Sequence, residues 1–525
     1  MNIKFSQIFF AMLLICAIPS LIVAQHENIL IDAAGNPEEP SIFINPTNTN
    51  QMVAGANINK VYYSSDAGKT WSKGKLESSY GVWGDPVILC DTAGTFYFFH
   101  LSYGKGSEGW LDRIVCQKLS DLNSKTWTDG TFMGNSFLKD HDKHWVANDP
   151  KNNAIYSTWT VFDKYDSKKT SDSSHIYFSK STDNGLTWSN QLRINLLGGD
   201  CIDSDNTTEG AVPAVGPKGE VYVAWSNRSK IWFDRSFDGG KTWLDNDILV
   251  SEQVGGWDLE IPGINRCNGL PVTVCDLSPS KYNGTIYVNW TDQKNGSDDT
   301  DVWLAKSTDQ GLNWSAPVRV NDDGPGKHQF FTWMSIDQST GYLYFVYYDR
   351  RRYDDNRTDV YMAVSKDGGQ TFSNFRISQS PFVPDANVFF GDYNNVSAHN
   401  GVVRPIWTRM DNGTTSVWTA IIDQTKVQNT ELAGDEECDD QQFYPNPATN
   451  VVYYSYKIRN RTKVKIELVG EDGKVLHTLL DNVEQEPNMY VLELPIDKYQ
   501  LKNGLHFVKL TENGFVKVKK LVIQH

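Results

Sequence analysis

The sequence predicts an all-β protein: a seven-bladed β-propeller, with a six-bladed ring as the alternative, followed by a small immunoglobulin-like β-sandwich. Three observations support this prediction. The 525 residues are 12% aromatic and include 40 Gly, as expected for many strands joined by turns. An octapeptide of the form Ser-x-Asp-x-Gly-x-x-Trp recurs along the chain, and an apolar strand–turn–strand repeat precedes each copy. Repetition of one supersecondary unit is typical of a ring or an array of such units.

The chain begins with a candidate export signal. Residues 1–24 contain one Lys, an apolar run at residues 8–23 and the small residue Ala24. A charged start, an apolar run and a small residue in this order are typical of a secretory signal peptide, so we expect cleavage after Ala24. The protein is therefore expected to be secreted or to reach the cell surface.

The repeated octapeptide is a candidate hairpin turn. Its five copies begin at Ser64, Ser181, Ser236, Ser307 and Ser365, and the last has Phe in place of Trp. Its Asp can accept hydrogen bonds from turn amides, its Gly can take a positive φ, and its aromatic ring can pack under the turn. We therefore expect the motif to have a structural role, in the outer hairpin of each four-stranded unit.

The spacing of the motif counts the units. The interval from Ser64 to Ser181 is about twice that from Ser181 to Ser236, so one more turn is expected, and SDLNSKTW at residues 120–127 fits it. Six full units and a last, three-stranded unit predict seven blades in residues 28–423. NILID at residues 28–32 is expected to supply the missing strand and close the ring, which removes its exposed edges. In the six-bladed alternative, the segment that begins with DYNNVSAHN forms an appendage.

The octapeptide resembles the Asp-box, or BNR, repeat of sialidase-like β-propellers. The resemblance implies this architecture for residues 28–423 and a glycan as ligand. Sialidases hold the substrate carboxylate with three arginines and use a Tyr nucleophile with a Glu partner and an Asp acid/base. Their first arginine lies in a Phe/Tyr-Arg-Ile-Pro motif at the first blade. Here Glu38-Glu39-Pro40-Ser41 takes that position, so the first-blade arginine is absent.

The C-terminal part is predicted to be a separate domain. An acidic, polar stretch at residues 424–441 is interpreted as a linker. In residues 442–525, short alternating strands and turn signals at Asp472-Gly473 and Asn513-Gly514 predict the small sandwich. Its YPNP opening, GLHFVKL strand and terminal KKLVIQH resemble the type A C-terminal sorting domain of the type IX secretion system. The resemblance implies that this secretion machinery is a partner.

Polar residues collect where each inner strand begins and where each second strand leads into the third. In a propeller these loops surround one mouth of the central channel, on the face opposite the octapeptide turns. The candidate catalytic residues are Asp142, His144, Glu209, Asp392 and Tyr393, and the candidate substrate-binding residues are Glu39, Asp85, Arg228, Arg266, His328, Arg350 and Arg409. Such a set suits an anionic sugar or acid–base work on a glycosidic bond. The competing interpretation is that these groups satisfy strand-end amides and pair around a solvated channel.

The leading functional hypothesis is a secreted, sialidase-like protein that acts on or binds glycans, as a glycoside hydrolase of the exo-sialidase type. The alternative is a non-catalytic surface propeller that binds carbohydrate or protein. A polysaccharide lyase is a further alternative, with His144, Tyr393 and an Arg as natural candidates. We expect a monomer. The net charge of −15, with no long basic run before the C-terminus, argues against nucleic acid as a partner.

The cysteines and two acidic loops complete the predictions. Six Cys follow residue 24 without a Cys-x-x-Cys pair, which disfavours zinc ribbons and redox motifs. A disulfide between Cys201 and Cys267 is one interpretation, and two free thiols are the other. Segments 203–209 and 298–301 alternate oxygen ligands that suit Ca²⁺, but a solvated acidic loop is the favoured interpretation of each. No cofactor is expected to be required.

Overall fold

The computed structural model describes residues 26–104, 110–119, 121–136, 138–422, 441–458, 461–512 and 515–524. Outside these residues lie the predicted signal peptide and Ser120 of the degenerate octapeptide. The predicted linker, with Cys438, also lies outside them, except for its last residue, Gln441. Within them all regular structure is β, which confirms the predicted class, and no helix is long and apolar enough to cross a membrane.

Seven four-stranded antiparallel sheets account for residues 27–421. The N-terminal strand is β1 (Glu27–Asp32), and the first sheet contains β2 (Ser41–Ile44), β3 (Met52–Ala56), β4 (Lys60–Ser64) and β5 (Ser72–Lys75). The second contains β6 (Val87–Cys90), β7 (Phe96–Tyr103), β8 (Trp110–Leu119) and β9 (Thr131–Met133). The third contains β10 (Asp140–Asn148), β11 (Ile155–Phe162), β12 (Ser174–Ser181) and β13 (Leu192–Arg193). The fourth contains β14 (Glu209–Val215), β15 (Val221–Ser226), β16 (Lys230–Ser236) and β17 (Ile248–Glu252).

The remaining sheets continue this order. The fifth contains β18 (Val272–Cys275), β19 (Ile286–Asp292), β20 (Asp301–Ser307) and β21 (Val318–Arg319). The sixth contains β22 (Gln329–Asp337), β23 (Tyr342–Asp349), β24 (Asp359–Ser365) and β25 (Ser373–Arg376). The seventh contains β26 (Asn395–His399), β27 (Val402–Asp411) and β28 (Thr414–Ile421), and β1 is its fourth strand, paired antiparallel to β28 with Glu27 opposite Ile421.

The seven sheets form a closed ring. The first strand of each sheet contacts the first strand of the next, from β2 and β6 onward, and β26 contacts β2 again. These first strands therefore surround the axis of the ring. Between sheets the core is apolar, and the second strands β11, β15, β19 and β27 each bury one Trp: Trp159, Trp225, Trp290 and Trp407.

The five octapeptides form turns between the third and fourth strands of their sheets. In the first, the Ser64 hydroxyl accepts the N–H of Gly68 at 2.8 Å and Asp66 accepts the N–H of Thr70 at 2.9 Å, and the same pair of bonds recurs in the other four. The Gly also touches the preceding sheet: a Cβ on Gly240, at φ +82°, would lie 2.2 Å from Phe178. The Gly is thus required both for its φ and for this close approach, and the octapeptide is part of the contact between sheets.

The C-terminal strands form two facing sheets. They are β29 (Gln441–Tyr444), β30 (Val451–Ile458), β31 (Thr462–Gly470), β32 (Val475–Gln485), β33 (Asn488–Pro495), β34 (Gly504–Glu512) and β35 (Phe515–Ile523). The orders are β29-β30-β33 and β32-β31-β34-β35. Tyr454 from one sheet and Ile466 and Leu510 from the other belong to one apolar core.

The described cysteines are thiols. Cys90, Cys116, Cys201, Cys267 and Cys275 are all buried and free. The disulfide considered between Cys201 and Cys267 is therefore wrong, and the interpretation as two free thiols is confirmed for this pair.

Candidate functional site

Ionisable residues from six of the seven sheets meet at the axis of the ring, and we call them the central cluster. It consists of Glu39, Asp85, Asp142, Lys143, Glu209, Arg266, Asp392 and Tyr393. Lys143 Nζ lies 2.6 Å from Asp392 Oδ2 and 3.8 Å from Asp85 Oδ2, and the N–H of Asp392 donates to Glu39 Oε1 at 3.0 Å. The sequence predicts seven of these residues as site candidates; Lys143 is the eighth.

The cluster forms because several sheets present the same register position to the axis. The N–H groups of Asn45, Asp91, Asp149 and Gly216 close the hairpins that follow β2, β6, β10 and β14. Six residues before each of them lie Glu39, Asp85, Lys143 and Gly210, whose φ angles are +54°, +50°, +48° and +77°. Three of the four are not glycines, and such a backbone is uncommon for them. A left-handed residue at this position turns the chain into the inner strand, and in the first three sheets it has an ionisable side chain.

Bulges in the inner strands accommodate the left-handed residues. Pairing of β10 with β11 shifts register between Asp142 and Trp145, and pairing of β14 with β15 shifts between Glu209 and Val212. Each shift sets two residues against one on the partner strand, as in a β-bulge, which re-aims the side chains next to it. Asp142 and Glu209 lie immediately before the bulges, so both carboxyl groups are placed at the axis.

Asp392 is the ionised carboxylate of the cluster. It is 1% exposed, Lys143 donates to it, and Arg266 binds it with two nitrogens, Nε at 2.9 Å and Nη2. Burial opposes ionisation, but Lys143 and Arg266 outweigh it and hold the pKa of Asp392 below its usual range. A negative charge is therefore fixed beside the channel axis.

Asp142 is poised to exchange a proton near neutral pH. Burial raises its pKa to about 6, and a hydrogen bond and charge repulsion from Asp85 add to this, whereas Lys143 acts in the opposite direction. Asp142 is 8% and Asp85 7% exposed, so the pair is buried like most of the cluster. A carboxylic acid with this pKa can act as proton donor or acceptor between pH 5 and 7.

Glu39 and Glu209 are protonated acids. Burial, reinforced by Asp85 and Asp392, raises the pKa of Glu39 well above its usual range. Burial, reinforced by Asp203 and Asp142, does the same for Glu209. Both carboxyl oxygens of Glu209, which is 1% exposed, lack a hydrogen-bond partner. A neutral, unpartnered carboxyl at this position is available to a ligand group.

Arg266 borders the cluster on its solvent side. Its Nη1 donates to Asp203 Oδ2 at 2.8 Å, and Asp203 in turn accepts from the Trp257 indole at 2.8 Å. Asp203 belongs to one of the two segments considered for Ca²⁺, and in this arrangement it is paired with Arg266. No group of three or more His, Cys, Asp or Glu side chains suited to a metal ion occurs among the residues that the structure covers.

Five predicted site residues lie outside the cluster. The His144 ring is buried, which lowers its pKa to about 4 and leaves it neutral. Arg228 donates to Gly198 O at 3.2 Å, and Arg350 donates to Pro262 O and Thr358. His328 lines the same cavity as Arg350. Arg228, Arg350 and Arg409 thus each have separate partners, and the structure does not bring these three candidates together.

Arg409 lies between the ring and the C-terminal domain. Its Nε donates to Asp411 at 2.7 Å, and its guanidinium carbon lies 3.8 Å from the centre of the Tyr444 ring of β29. The Tyr444 hydroxyl also donates to Asp411 at 3.0 Å. Arg409 is therefore in contact with the C-terminal domain, an arrangement that the order of sequence motifs does not reveal.

Comparison with known proteins supports two of the resemblances. Residues 62–73 match the BNR/Asp-box repeat, and residues 442–524 match the secretion system C-terminal sorting domain. Such a sorting domain indicates export by type IX secretion to the cell surface or the extracellular space. A search of curated proteins finds no match.

Among solved structures, similar chains include two sialidases and a lyase. The NanB sialidase from Streptococcus pneumoniae is 8% identical, with 77% of this chain and 96% of that chain covered and a TM-score of 0.42. A Hadza microbial sialidase is 12% identical, with 71% of this chain and 73% of that chain covered and a TM-score of 0.41. A PL25 ulvan lyase is 11% identical, with 76% of this chain and 95% of that chain covered and a TM-score of 0.45. The chain is thus an all-β protein that carries an Asp-box repeat and a secretion-system C-terminal sorting domain.

Proposed function

We propose that this exported protein cleaves glycosidic bonds by acid–base chemistry at the central cluster. The observation that carries the proposal is the division of protonation states there. Asp392 is kept ionised by Lys143 and Arg266, while Asp142 has a pKa of about 6. Carboxyl groups whose surroundings separate their pKa values are the usual apparatus of glycoside hydrolysis.

The roles follow from charge and position. Asp142 gives its proton to the glycosidic oxygen as the bond to the departing sugar breaks. Water adds a hydroxyl to the anomeric carbon and returns a proton to the carboxyl pair that Asp142 forms with Asp85. Asp392 offsets part of the charge of Lys143 and Arg266 at the axis, which would otherwise oppose the positive charge that develops on the sugar ring. Lys143 and Arg266 act as positioning residues that keep Asp392 ionised.

An aromatic surface beside the cluster favours a sugar as ligand. Trp83, two residues before Asp85, stacks on Tyr103 with 4.6 Å between ring centres, and Trp110 lies opposite Tyr103 in the β7–β8 pair. The three side chains are 37%, 48% and 39% exposed. Flat, exposed rings on the same rim as the carboxyl groups offer a stacking surface for a pyranose.

A non-catalytic glycan-binding propeller is the second candidate, because apart from Arg266 the cluster is less than one-tenth exposed.

A lyase has less support. The Tyr393 hydroxyl is buried without a partner, and burial together with Asp85 and Glu39 raises its pKa well above the usual range, so it is a poor base.

The test is release of reducing ends from a panel of neutral and acidic polysaccharides by the secreted protein. Asp142→Asn is expected to lower kcat by at least about 100-fold with binding retained. Asp292→Asn is the matched control, because Asp292 is also buried, also has a pKa raised to about 6, and accepts from the Trp290 indole outside the cluster. Full activity of Asp142→Asn would refute this assignment. Binding without cleavage of any polysaccharide would establish the second candidate.

A further inference from the structure

A second feature of the same face is a buried arginine without a carboxylate partner. Arg350 is 3% exposed, and its hydrogen bonds go to neutral oxygens: Thr358 Oγ1 at 3.0 Å, Pro262 O at 2.7 Å and Asn356 Oδ1 at 3.5 Å. Its Nη2 is buried and has no partner. In contrast, the buried guanidinium groups of Arg357 and Arg409 are paired with Asp355 and Asp411.

The charge of Arg350 persists despite burial. Loss of hydration lowers its pKa to about 10, which still leaves the guanidinium protonated at neutral pH. A buried, unpaired cation is unfavourable unless something compensates it, and buried charges in proteins are normally paired. The site therefore has a positive charge without an ion-pair partner among the described residues, stabilised by the face of the Phe330 ring at 5.2 Å and by the more distant Asp355, and it has a free N–H donor group.

This guanidinium lines a cavity of about 270 Å³ together with Pro262, Lys327, His328 and Tyr353. The other charges around the cavity are compensated. Lys327 pairs with Asp354 at 2.7 Å, and Asp355 pairs with Arg357 at 2.8 Å and with Lys457 at 3.5 Å. Burial lowers the pKa of His328 to about 4, so it is neutral. Arg350 is therefore the charged group of this cavity that has no ion-pair partner.

We infer that the Arg350 cavity binds an oxyanion, the carboxylate or sulfate group of an acidic saccharide or a free anion of the same chemistry. The group would pair with the guanidinium, for which planar carboxylates and sulfates are natural partners. The size of the cavity suits a group no larger than a monosaccharide. Pro262, which lines the cavity and accepts from Arg350, lies four residues before Arg266 in the segment between β17 and β18, so the cavity is near the central cluster. The inference does not depend on catalysis at that cluster.

The experiment is calorimetric titration of the full secreted chain with sodium glucuronate, sodium sulfate and glucose. We expect binding of an anion and none of glucose. Glucuronate binding tighter than sulfate would assign a saccharide-borne carboxylate, and the reverse order would assign a sulfate group or free oxyanion. Arg350→Gln is expected to weaken the binding at least tenfold. Absence of binding of both anions to the wild type would overturn the inference.

The matched control is Arg404→Gln. Arg404 is 5% exposed, also has its pKa lowered to about 10 by burial, and donates to Ala67 O and Val403 O, but it does not line the cavity. It should leave anion binding unchanged. Because Arg350→Gln can also disturb folding, Asn356→Phe provides a second variant, which fills the cavity and retains the charge. Undiminished binding by a folded Arg350→Gln or Asn356→Phe protein would refute the assignment.

Discussion

Replacement of Asp392 by Asn is expected to destabilise the ring by about 3–5 kcal/mol. The substitution conserves shape and removes the charge that pairs with Lys143 at 2.6 Å and with both donors of Arg266. Lys143 is 6% exposed, and its ammonium group would keep Asp85, at 3.8 Å, as its nearest ion-pair partner, while burial keeps Glu39 and Glu209 protonated. Removal of one partner of a buried ion pair typically costs this amount, because the other charge remains without compensation.

Urea unfolding followed by Trp fluorescence measures this effect directly. All 17 Trp lie between Trp71 and Trp418, so the signal reports on the ring and not on the C-terminal domain. Asp354→Asn is the control, since its ion pair with Lys327 is as short, 2.7 Å, but its side chain is fully exposed. The control should leave the urea midpoint unchanged. A loss below about 1 kcal/mol for Asp392→Asn would show that Lys143 finds other compensation and would refute the reasoning.

Four further predictions rest on individual contacts. Because the pKa of Asp142 is raised to about 6, turnover should fall as pH rises through about 6. The raised pKa also means that protonated Asp142 stabilises the fold below about pH 4, and that this stabilisation is lost as pH rises to about 6. Urea midpoints measured across this pH range should show the loss in the wild type and not in Asp142→Asn. Asp238→Ala, which removes the turn bonds to Thr242, should cost about 1–2 kcal/mol in urea unfolding without a change in glycan turnover. Arg409→Ala, which removes the contact with Tyr444, should speed release of the C-terminal domain in limited proteolysis, whereas equal rates would exclude a docking role. Trp83→Ala should raise KM for an oligosaccharide more than it lowers kcat, and Phe237→Ala, which removes a more exposed ring in an octapeptide turn on the opposite face, should change neither.

The octapeptide could be interpreted from sequence because its bonds are local. Ser64, Asp66 and Gly68 interact within one turn, so their spacing alone predicts their structure. The position of Asp85, Asp142 and Asp392 at the starts of inner strands follows from the same count of repeats. Their convergence could be expected because equivalent positions in a closed ring lie at similar distances from its axis.

The contacts of Lys143 and Arg409 could not be predicted from the sequence. In a regular strand Lys143 would point away from Asp142, and only the bulge and the φ of +48° bring both to the axis. The spacing to the hairpin could have indicated this position, because Lys143 lies six residues before the hairpin residue Asp149, as Glu39 does before Asn45. Arg409 had no such signal, because its partner Tyr444 lies in another domain, and contacts between domains depend on surfaces that no local pattern records.

The charges at the axis suggest how an acidic polysaccharide would be oriented. The first sheet contributes Glu39 where the sialidase resemblance has an arginine, and the cations that do reach the axis, Lys143 and Arg266, are both bound to Asp392. Within the described cluster, a carboxylate on the sugar undergoing cleavage would therefore meet acids and no unpaired cation. The unpaired cation is Arg350, in the nearby cavity. If both proposals hold, the sugar that carries the acidic group lies in that cavity, and the bond that breaks links a neighbouring sugar at Asp142. Separation of the two positions predicts that a neutral oligosaccharide is cleaved with unchanged kcat and a raised KM, and that Arg350→Gln abolishes this difference between acidic and neutral substrates.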